Sequence, residues 1–472
     1  MSIRSGFRLG LVAAASGAAL TVATFAVAQP QAQPQTLADA LTLAYQTNPT
    51  LLSQRAQLRA LDESYVQARV GYRPQVSVGV EADYAKESAT LNRSSEPVSA
   101  TLSASQPIYT GGYASASVRA AEGDIRAGRE QLRQTEANVL QSVIAAYVDV
   151  RRDQQALTIQ QDNVNVLRHQ LAETKAKFEV GQITRTDVAQ AEARLAGARA
   201  GLASARANLG VSRANYTAVV GQSPGDLAPE PELPGLPATV DQAFDTAERD
   251  NPGILAADYA EQAAAARVAA AKAADRPTVS LRATYGYGGF LQNQPALGET
   301  TGPWQRAVTA SAVVTQPLFT GGMNASRIRQ AAETDNTKRL GVDSARRLAI
   351  QSVSQSWNQL LAARASVTAN AEQERHNAEL ALVNARHDQY VAGAGVLSAM
   401  GLLEARNLTP GTATYDPAKS FNRVRHAGSV PWEGIVAGVD RAGSPTIRKR
   451  PPVAEPARPA EPSAAGAEVV DP

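Results

Sequence analysis

Gln106-Pro-Ile-Tyr-Thr-Gly-Gly112 returns almost unchanged as Gln316-Pro-Leu-Phe-Thr-Gly-Gly322. Two shorter landmarks return with it: Asn48-Pro49 as Asn251-Pro252, and Arg73-Pro74 as Arg276-Pro277. The shorter pairs are displaced by 203 positions (251 − 48 and 276 − 73) and the long one by 210 (316 − 106). One unit has therefore been written twice, with seven extra residues between the second and third landmarks of the later copy. Duplication on this scale sets the architecture before any local motif is read.

The chain has 472 residues, enough for two or three ordinary domains. Aromatics are only 5% while alanine is abundant, which suits helices that pack closely through small side chains. A net charge of +2 gives no argument for a nucleic-acid partner. With no cysteine, a disulfide framework and thiol chemistry are both excluded. At the N-terminus, Arg4 and Arg8 precede an apolar run from Leu9 to Val27, which ends in Ala26-Val27-Ala28. Ser16, Gly17, Thr21 and Thr24 interrupt that run, so it reads as a secretory signal over 1–28 rather than an anchor, with maturation near Gln29. No other stretch is long and apolar enough for a spanning helix, so any crossing of a membrane must be made by strands.

Strand candidates fall at equivalent places in both copies. Val76, Val78, Val80, Ala82 and Tyr84 alternate with polar residues or glycine, as do Val98, Ala100, Leu102 and Ala104. In the second copy the same alternation runs through Val279, Leu281, Ala283, Tyr285 and Tyr287, then through Val308, Ala310, Ala312 and Val314. Strands are expected at about 75–85, 98–106, 278–288 and 307–316, each near the length a tilted strand needs to cross a bilayer. Soluble hairpins over a helical core are the alternative. Four strands cannot close a membrane barrel; a dimer would bring eight and a trimer twelve.

The rest of the signal is helical and long. No proline occurs between Pro107 and Pro224, and Val143, Val150, Leu157, Val164, Leu171 and Phe178 fall every seven residues. Beyond Gly181 a second series follows: Val188, Leu195, Leu202, Leu209 and Tyr216, shadowed by Ala191, Ala198 and Ala205. An antiparallel helical hairpin over 113–220 is expected, about 100 Å long at 1.5 Å per residue. At its tip Gly181 suits a left-handed helix end, and Thr184 with Asp187 suits an N-cap. A plain coiled-coil spacer would explain the same residues.

Taken together, these features resemble the TolC-type outer-membrane efflux proteins. The likeness rests on the duplicated helix–strand–strand–helix plan, Asn48-Pro49, both Gln-Pro-x-x-x-Gly-Gly segments and the tip Val180-Gly181-x-x-Thr184-x-x-Asp187. Tyr415-Asp416-Pro417 followed by Val424-Arg425 adds to it, and the whole covers roughly residues 36–426. The resemblance implies an α+β membrane protein: four strands per chain in a trimeric, twelve-stranded outer-membrane barrel, and coiled-coil helices continuing it as a periplasmic tunnel. It implies a passive duct for efflux or type I secretion, partnered by a periplasmic adaptor and an inner-membrane pump and surrounded by outer-membrane lipid. By that likeness Val180, Gly181 and Thr184 are adaptor-contact candidates and Asp187 is a gate-region candidate. No catalytic group, cofactor or metal is expected: His169, His376, His387 and His426 show no ligand spacing, and the acidic residues are dispersed.

One departure stands out. Tyr216 follows Gln106 by 110 positions (216 − 106), whereas the matching Tyr390 follows Gln316 by only 74 (390 − 316). The second copy is therefore short by 36 (110 − 74) and has no tip motif. Its heptad line through Val353, Leu360 and Val367 meets the line running back from Tyr390 and Val383 near residue 371. Gly and Pro are absent from Val342 to Ala392, so local propensity favours one unbroken helix. A fold-back around Asn370 would instead bury Leu380, Leu382 and Val383 and keep the family topology; the reading leans that way. A leaky or non-conducting structural variant is the alternative function. The expected organisation is a signal at 1–28, a first repeat at 29–220, a Pro-rich linker at 221–238 and a second repeat at 239–408. A C-terminal family segment at 409–427 and a disordered tail at 428–472 complete it.

Overall fold

The computed structural model describes residues 36–87, 93–290, 304–370 and 375–445. The expected signal sequence lies outside them. The first repeat runs α1 (Leu37–Thr47), α2 (Pro49–Ala68), β1 (Gln75–Ala82), β2 (Ala85–Glu87), β3 (Arg93–Ser95), β4 (Pro97–Tyr109), α3 (Tyr113–Glu179) and α4 (Arg185–Val220). The second runs α5 (Val240–Asp250), α6 (Pro252–Ala273), β5 (Thr278–Phe290), β6 (Gln305–Thr315), α7 (Met323–Asn370) and α8 (Arg375–Met400). Three short helices follow: α9 (Ala405–Leu408), α10 (Pro417–Val424) and α11 (Glu433–Ala442).

The repeated landmarks do the same local work in both copies. Asn48 caps α2 by accepting from Thr50 N at 3.0 Å, and Asn251 caps α6 by accepting from Gly253 N at 2.8 Å. Pro49 and Pro252 take the first helical position, where a missing N–H costs nothing. Gln106 Nε2 donates to Tyr72 O and Gln316 Nε2 to Asp275 O, both at 3.0 Å, tying strand to preceding junction by the same bond.

The helical core forms where the two repeats meet. Leu140, Val143, Ile144, Tyr147 and Val150 of α3 are buried against Leu37, Leu41 and Tyr45 of α1, Tyr216 of α4 and Leu397 of α8. Ala120 and Ala121 of α3, and Ala263, Ala264 and Ala266 of α6, are buried too, so small side chains let these helices approach closely. The Pro-rich segment 221–238 is a strap laid along α3: Tyr147 Oη donates to Ala228 O at 2.7 Å, and Arg151 pairs with Glu230.

The heptad line of α3 holds from Val143 through Val164 but reaches solvent at Phe178, which is exposed. Helices α7 and α8 fold back on each other. Val353, Trp357 and Leu360 share one buried cluster with Ala392, Val396 and Met400, which an unbroken helix would hold far apart. The reversal itself, at 371–374, lies outside the described residues. The extent of the shortening is corrected by the helix ends. Gly221 and Gly401 end α4 and α8 with φ of +91° and +78°. Each lies two residues past the carbonyl (Val219, Ala399) that accepts the Asn48 or Asn251 side-chain amide. The structural counterpart of Tyr216 is therefore Val396 rather than Tyr390. The separations to compare are 115 (221 − 106) and 85 (401 − 316), so the second copy is short by 30 (115 − 85) rather than 36.

The tail is also corrected. Disorder was expected from 428 onward, yet Glu433–Ala442 form α11, with Glu433 and Asp440 buried against the first repeat. Residues 446–472 lie outside the described residues.

Candidate conduit and hairpin tip

Four antiparallel strands make one sheet in the order β1-β4-β5-β6. Its register aligns side chains of one kind on each face. Val78, Leu102, Tyr285 and Val308 stand in one row across all four strands, and Val76, Ala104, Ala283 and Ala310 in the next. The opposite face carries Ser77, Ser103, Thr284 and Thr309 in a row, and Gln75, Ser105, Arg282 and Ser311 in another. Ser77 Oγ and Ser103 Oγ are 2.7 Å apart, and Thr284 and Thr309 hydrogen-bond across β5 and β6. Tyr287 stacks on Trp304 at 5.2 Å near one rim, where amphipathic rings suit a membrane interface. An apolar face beside a polar one fits lipid on one side and water on the other. Both edge strands, β1 and β6, keep one side of the backbone unpaired within the chain.

The helix junctions below the sheet are fixed by α11. Arg69 and Arg73 of the first repeat reach Glu433 at 2.8 and 3.3 Å, while Arg276 of the second donates to Gly443 O just past the end of α11. An acid at the start of a helix and a cation at its end both agree with the helix dipole. Asp440 does more. The residue before α3 is Gly112, which has no side chain to cap it. Asp440 Oδ1 instead accepts from Thr110 N at 2.8 Å, Thr110 Oγ1 at 2.7 Å and Gly112 N at 3.1 Å, while Oδ2 accepts from Ser115 N at 3.0 Å. The longest helix of the chain is thus capped by a side chain 328 positions from Gly112 in sequence. The sequence reading missed this. Trp432, Ile435, Val436 and Val439 do fall at helical spacing, but the Pro- and Ala-rich composition around them masked the pattern.

At the far end of α3, Gly181 adopts φ +77° and Gln182 N donates to Lys177 O at 2.9 Å, closing the helix with a left-handed cap. Thr184 then starts α4 in a capping box: Asp187 Oδ2 accepts from Thr184 N and Thr184 Oγ1, each at 2.8 Å. The Thr184 hydroxyl and backbone hold the Asp187 carboxyl below the usual carboxylate range. Val180, 69% exposed, and Asp187, also exposed, lie together on this turn. Below it the coil has its own seam of Val164, Leu195 and Ala198, flanked by Leu167, Leu171 and Leu202. Lys175 crosses to Glu192 at 2.8 Å.

Nearer the middle, His387 of α8 sits 2.9 Å from Asp149 of α3 and 2.9 Å from Asp388. Burial opposes a charge on His387, but the two carboxylates outweigh it and raise the imidazole above its ordinary range. The contact with His387, with help from Arg152, lowers Asp149. Among the described residues no group of His, Asp and Glu has the geometry of a metal site, and no helix is long and apolar enough to cross a membrane.

A sheet with one apolar and one polar face, continued by helices of this length, defines a segment of a transmembrane duct. Comparison with known proteins gives the family. The profile described as "Outer membrane efflux protein" matches residues 40–222 and 243–409. The outer membrane efflux protein BepC of Brucella suis biovar 1 (strain 1330) is 34% identical over 431 residues, covering 85% of this chain and 92% of that one. The CmeC outer membrane channel of Campylobacter jejuni has a similar fold: TM-score 0.65 at 14% identity, covering 84% of this chain and 90% of that one. The open-state MtrE outer membrane channel of Neisseria gonorrhoeae gives 0.60 at 20%, covering 81% and 91%. The chain belongs to the outer membrane efflux protein family, and its place is the outer membrane.

Proposed function

We propose that this protein is an exit duct through the outer membrane that carries cargo delivered by an inner-membrane pump through a periplasmic adaptor. The sheet carries the reading: its apolar and polar faces fit the wall of a pore, and its two open edges leave that wall incomplete in one copy. Three copies would supply twelve strands, the number that the family resemblance implies. Val180, Gly181 and Thr184 are the proposed adaptor contact, and Asp187 is the proposed gate-region residue. The BepC relative is named an efflux protein, and type I secretion is a second use that the same duct would serve. Nothing in this reading needs an active site.

Expression in a strain lacking its own duct tests it. Restored drug export, together with pore conductance from the purified protein in planar bilayers, is the expected result. A water-soluble monomer absent from the outer membrane would overturn the reading. The short α7–α8 hairpin favours a second reading in which the same pore leaks at its periplasmic end.

A further inference from the structure

Helix α11 is amphipathic the wrong way round for water. Its buried face carries Glu433, Val436 and Asp440, and the two acids are held by Arg69, Arg73 and the head of α3. The other face carries Trp432, Ile435 and Val439, which are 47%, 72% and 47% exposed, and Ala442 continues the line. These four residues fall three, four and three positions apart, so they form one stripe. A helix at a water-washed surface buries such a stripe and exposes its charges.

Two contacts place the stripe beside the sheet's apolar face. Gln106 shares that face with Leu102 and Ala104; Tyr109, past the bulge, is opposite Val279 and so shares it with Leu281 and Ala283. Trp432 Nε1 donates to Gln106 Oε1 at 3.1 Å, and Tyr109 Oη donates to Gly443 O at 3.5 Å. Helix α11 therefore crosses the foot of the sheet on its apolar side, where strands give way to helices. Gln106 pairs with Leu281 and Ala100 with Tyr287, six rows away, roughly 20 Å along the strands. Of the three tryptophans, Trp357 is buried, whereas Trp432 and Trp304 stand near the two ends of that span, each close to half exposed. On its other flank α11 offers a cation. Arg441 is exposed and lines, with Arg69, Tyr72 and Arg119, a cavity of about 350 Å³ between α2, α3 and α11. Arg119 donates to Ser444 Oγ at 3.2 Å, but its buried Nε has no partner among the described residues.

We propose that α11 is an interfacial helix resting on the periplasmic leaflet of the outer membrane. Trp432, Ile435 and Val439 enter the boundary of the acyl chains, while Arg119 and Arg441 meet anionic phospholipid headgroups at the cavity. An apolar stripe flanked by cations suits a helix lying in the plane of such a surface. Tryptophan at its edge suits the same depth. The stripe is continuous with the apolar face of the sheet, and the cations complement a phospholipid surface, so the occupant is the leaflet rather than a second copy of the chain. The inference rests on the reading of the sheet as a membrane wall and adds a second contact with lipid at its foot.

The chain has no cysteine, so one introduced thiol reports without background. Full-length protein carrying Ile435→Cys is spin-labelled and reconstituted in vesicles of phosphatidylethanolamine and phosphatidylglycerol. Collisions of the label with oxygen and with a polar nickel chelate are then compared. Val308→Cys, on the apolar face of the sheet, and Gln182→Cys, at the hairpin tip, are the references; both positions are exposed. Oxygen concentrates among acyl chains and the chelate is excluded from them, so the oxygen-to-nickel ratio at Ile435 should exceed that at Gln182 about tenfold, as at Val308. A ratio equal to that at Gln182 would leave α11 in water, and few collisions of either kind would show a second copy covering it; each overturns the proposal. A high ratio at Val308 in those cases leaves the membrane wall standing, whereas a low one there would bring that reading down. Replacing phosphatidylglycerol with phosphatidylcholine should lower the ratio at Ile435, and no change would overturn the contact with anionic headgroups.

Discussion

Asp440 shows how much one side chain can hold. It is fully buried and is the acceptor for four donors at the head of α3. Asp440→Ala would strand those donors away from water; hydrogen bonds to charged groups contribute about 1.5–3 kcal/mol each, and losses of this kind are not additive. A destabilisation of about 3–5 kcal/mol is expected, read as a lower midpoint for thermal loss of the assembly in detergent. A shift no larger than that of a surface control would show that α11 is a passenger. At the tip, Asp187 caps α4 and stays exposed. Asp187→Asn keeps an acceptor for Thr184, so the hairpin should lose at most about 1 kcal/mol. The same change removes one negative charge per copy at the proposed gate and should weaken cation preference in low-salt bilayers. Unchanged selectivity would leave Asp187 as a cap alone. The capping pattern was legible in the sequence because it is local. The Asp440 contact was not, since nothing local links residue 440 to residue 112.

Elements were readable where a period repeats. Alternation of two placed the strands, and sevens placed α3 and α4, because each pattern reports a single buried face. The return of α8 was harder: helix propensity favoured a continuous rod through residue 371, and burial of Val353 and Leu360 against Val396 overrode it. The tail failed for the opposite reason: a composition typical of disorder hid a helix held by two buried carboxylates, Glu433 and Asp440. The Asp149–His387 contact is a polar tie between α8 and α3. His387 is raised in the folded chain, so its contribution is complete below about 6.5, its ordinary value, and is lost as pH rises through the higher folded value. Asp149 is lowered, so its contribution is present above about 3.8 and is lost as pH falls through the folded value. The tie is strongest between those limits. Amide exchange along α8 should be slowest near pH 5.5, after correction for intrinsic rates, and faster at pH 8.5. His387→Ala should remove the difference; a persisting pH effect in that variant would place its origin elsewhere.

The two repeats differ most in the length of their helical hairpins, since α3 runs for 67 residues and α7 for 48. In α3 and α8, His387 lies beside Asp149 and Gly395 beside Gln141, so the helices run antiparallel in step. The first residue of α8, Arg375, is twelve positions before His387 and so comes abreast of α3 near position 161. Among the described residues, Asp162–Glu179 extend beyond it for about 27 Å at 1.5 Å per residue with α4 alone beside them. In a trimer this distal stretch of tunnel would be ringed by three hairpins, where two full-length repeats per chain would give six. Helices pack about 8–10 Å apart, so on a ring that twelve helices fill side by side, six leave roughly half of the circumference open. The distal coil stays folded on its own seam of Val164, Leu195 and Ala198, so its separation from neighbours need not unfold it. The expected outcome is a pore that conducts steadily without adaptor or pump, with few complete closures in single-channel records. Inserting a helix–turn–helix that restores the missing length between Asn370 and Arg375 should lower that resting conductance by returning the absent hairpins. A native pore already shut at rest would show that three hairpins suffice to close the tunnel.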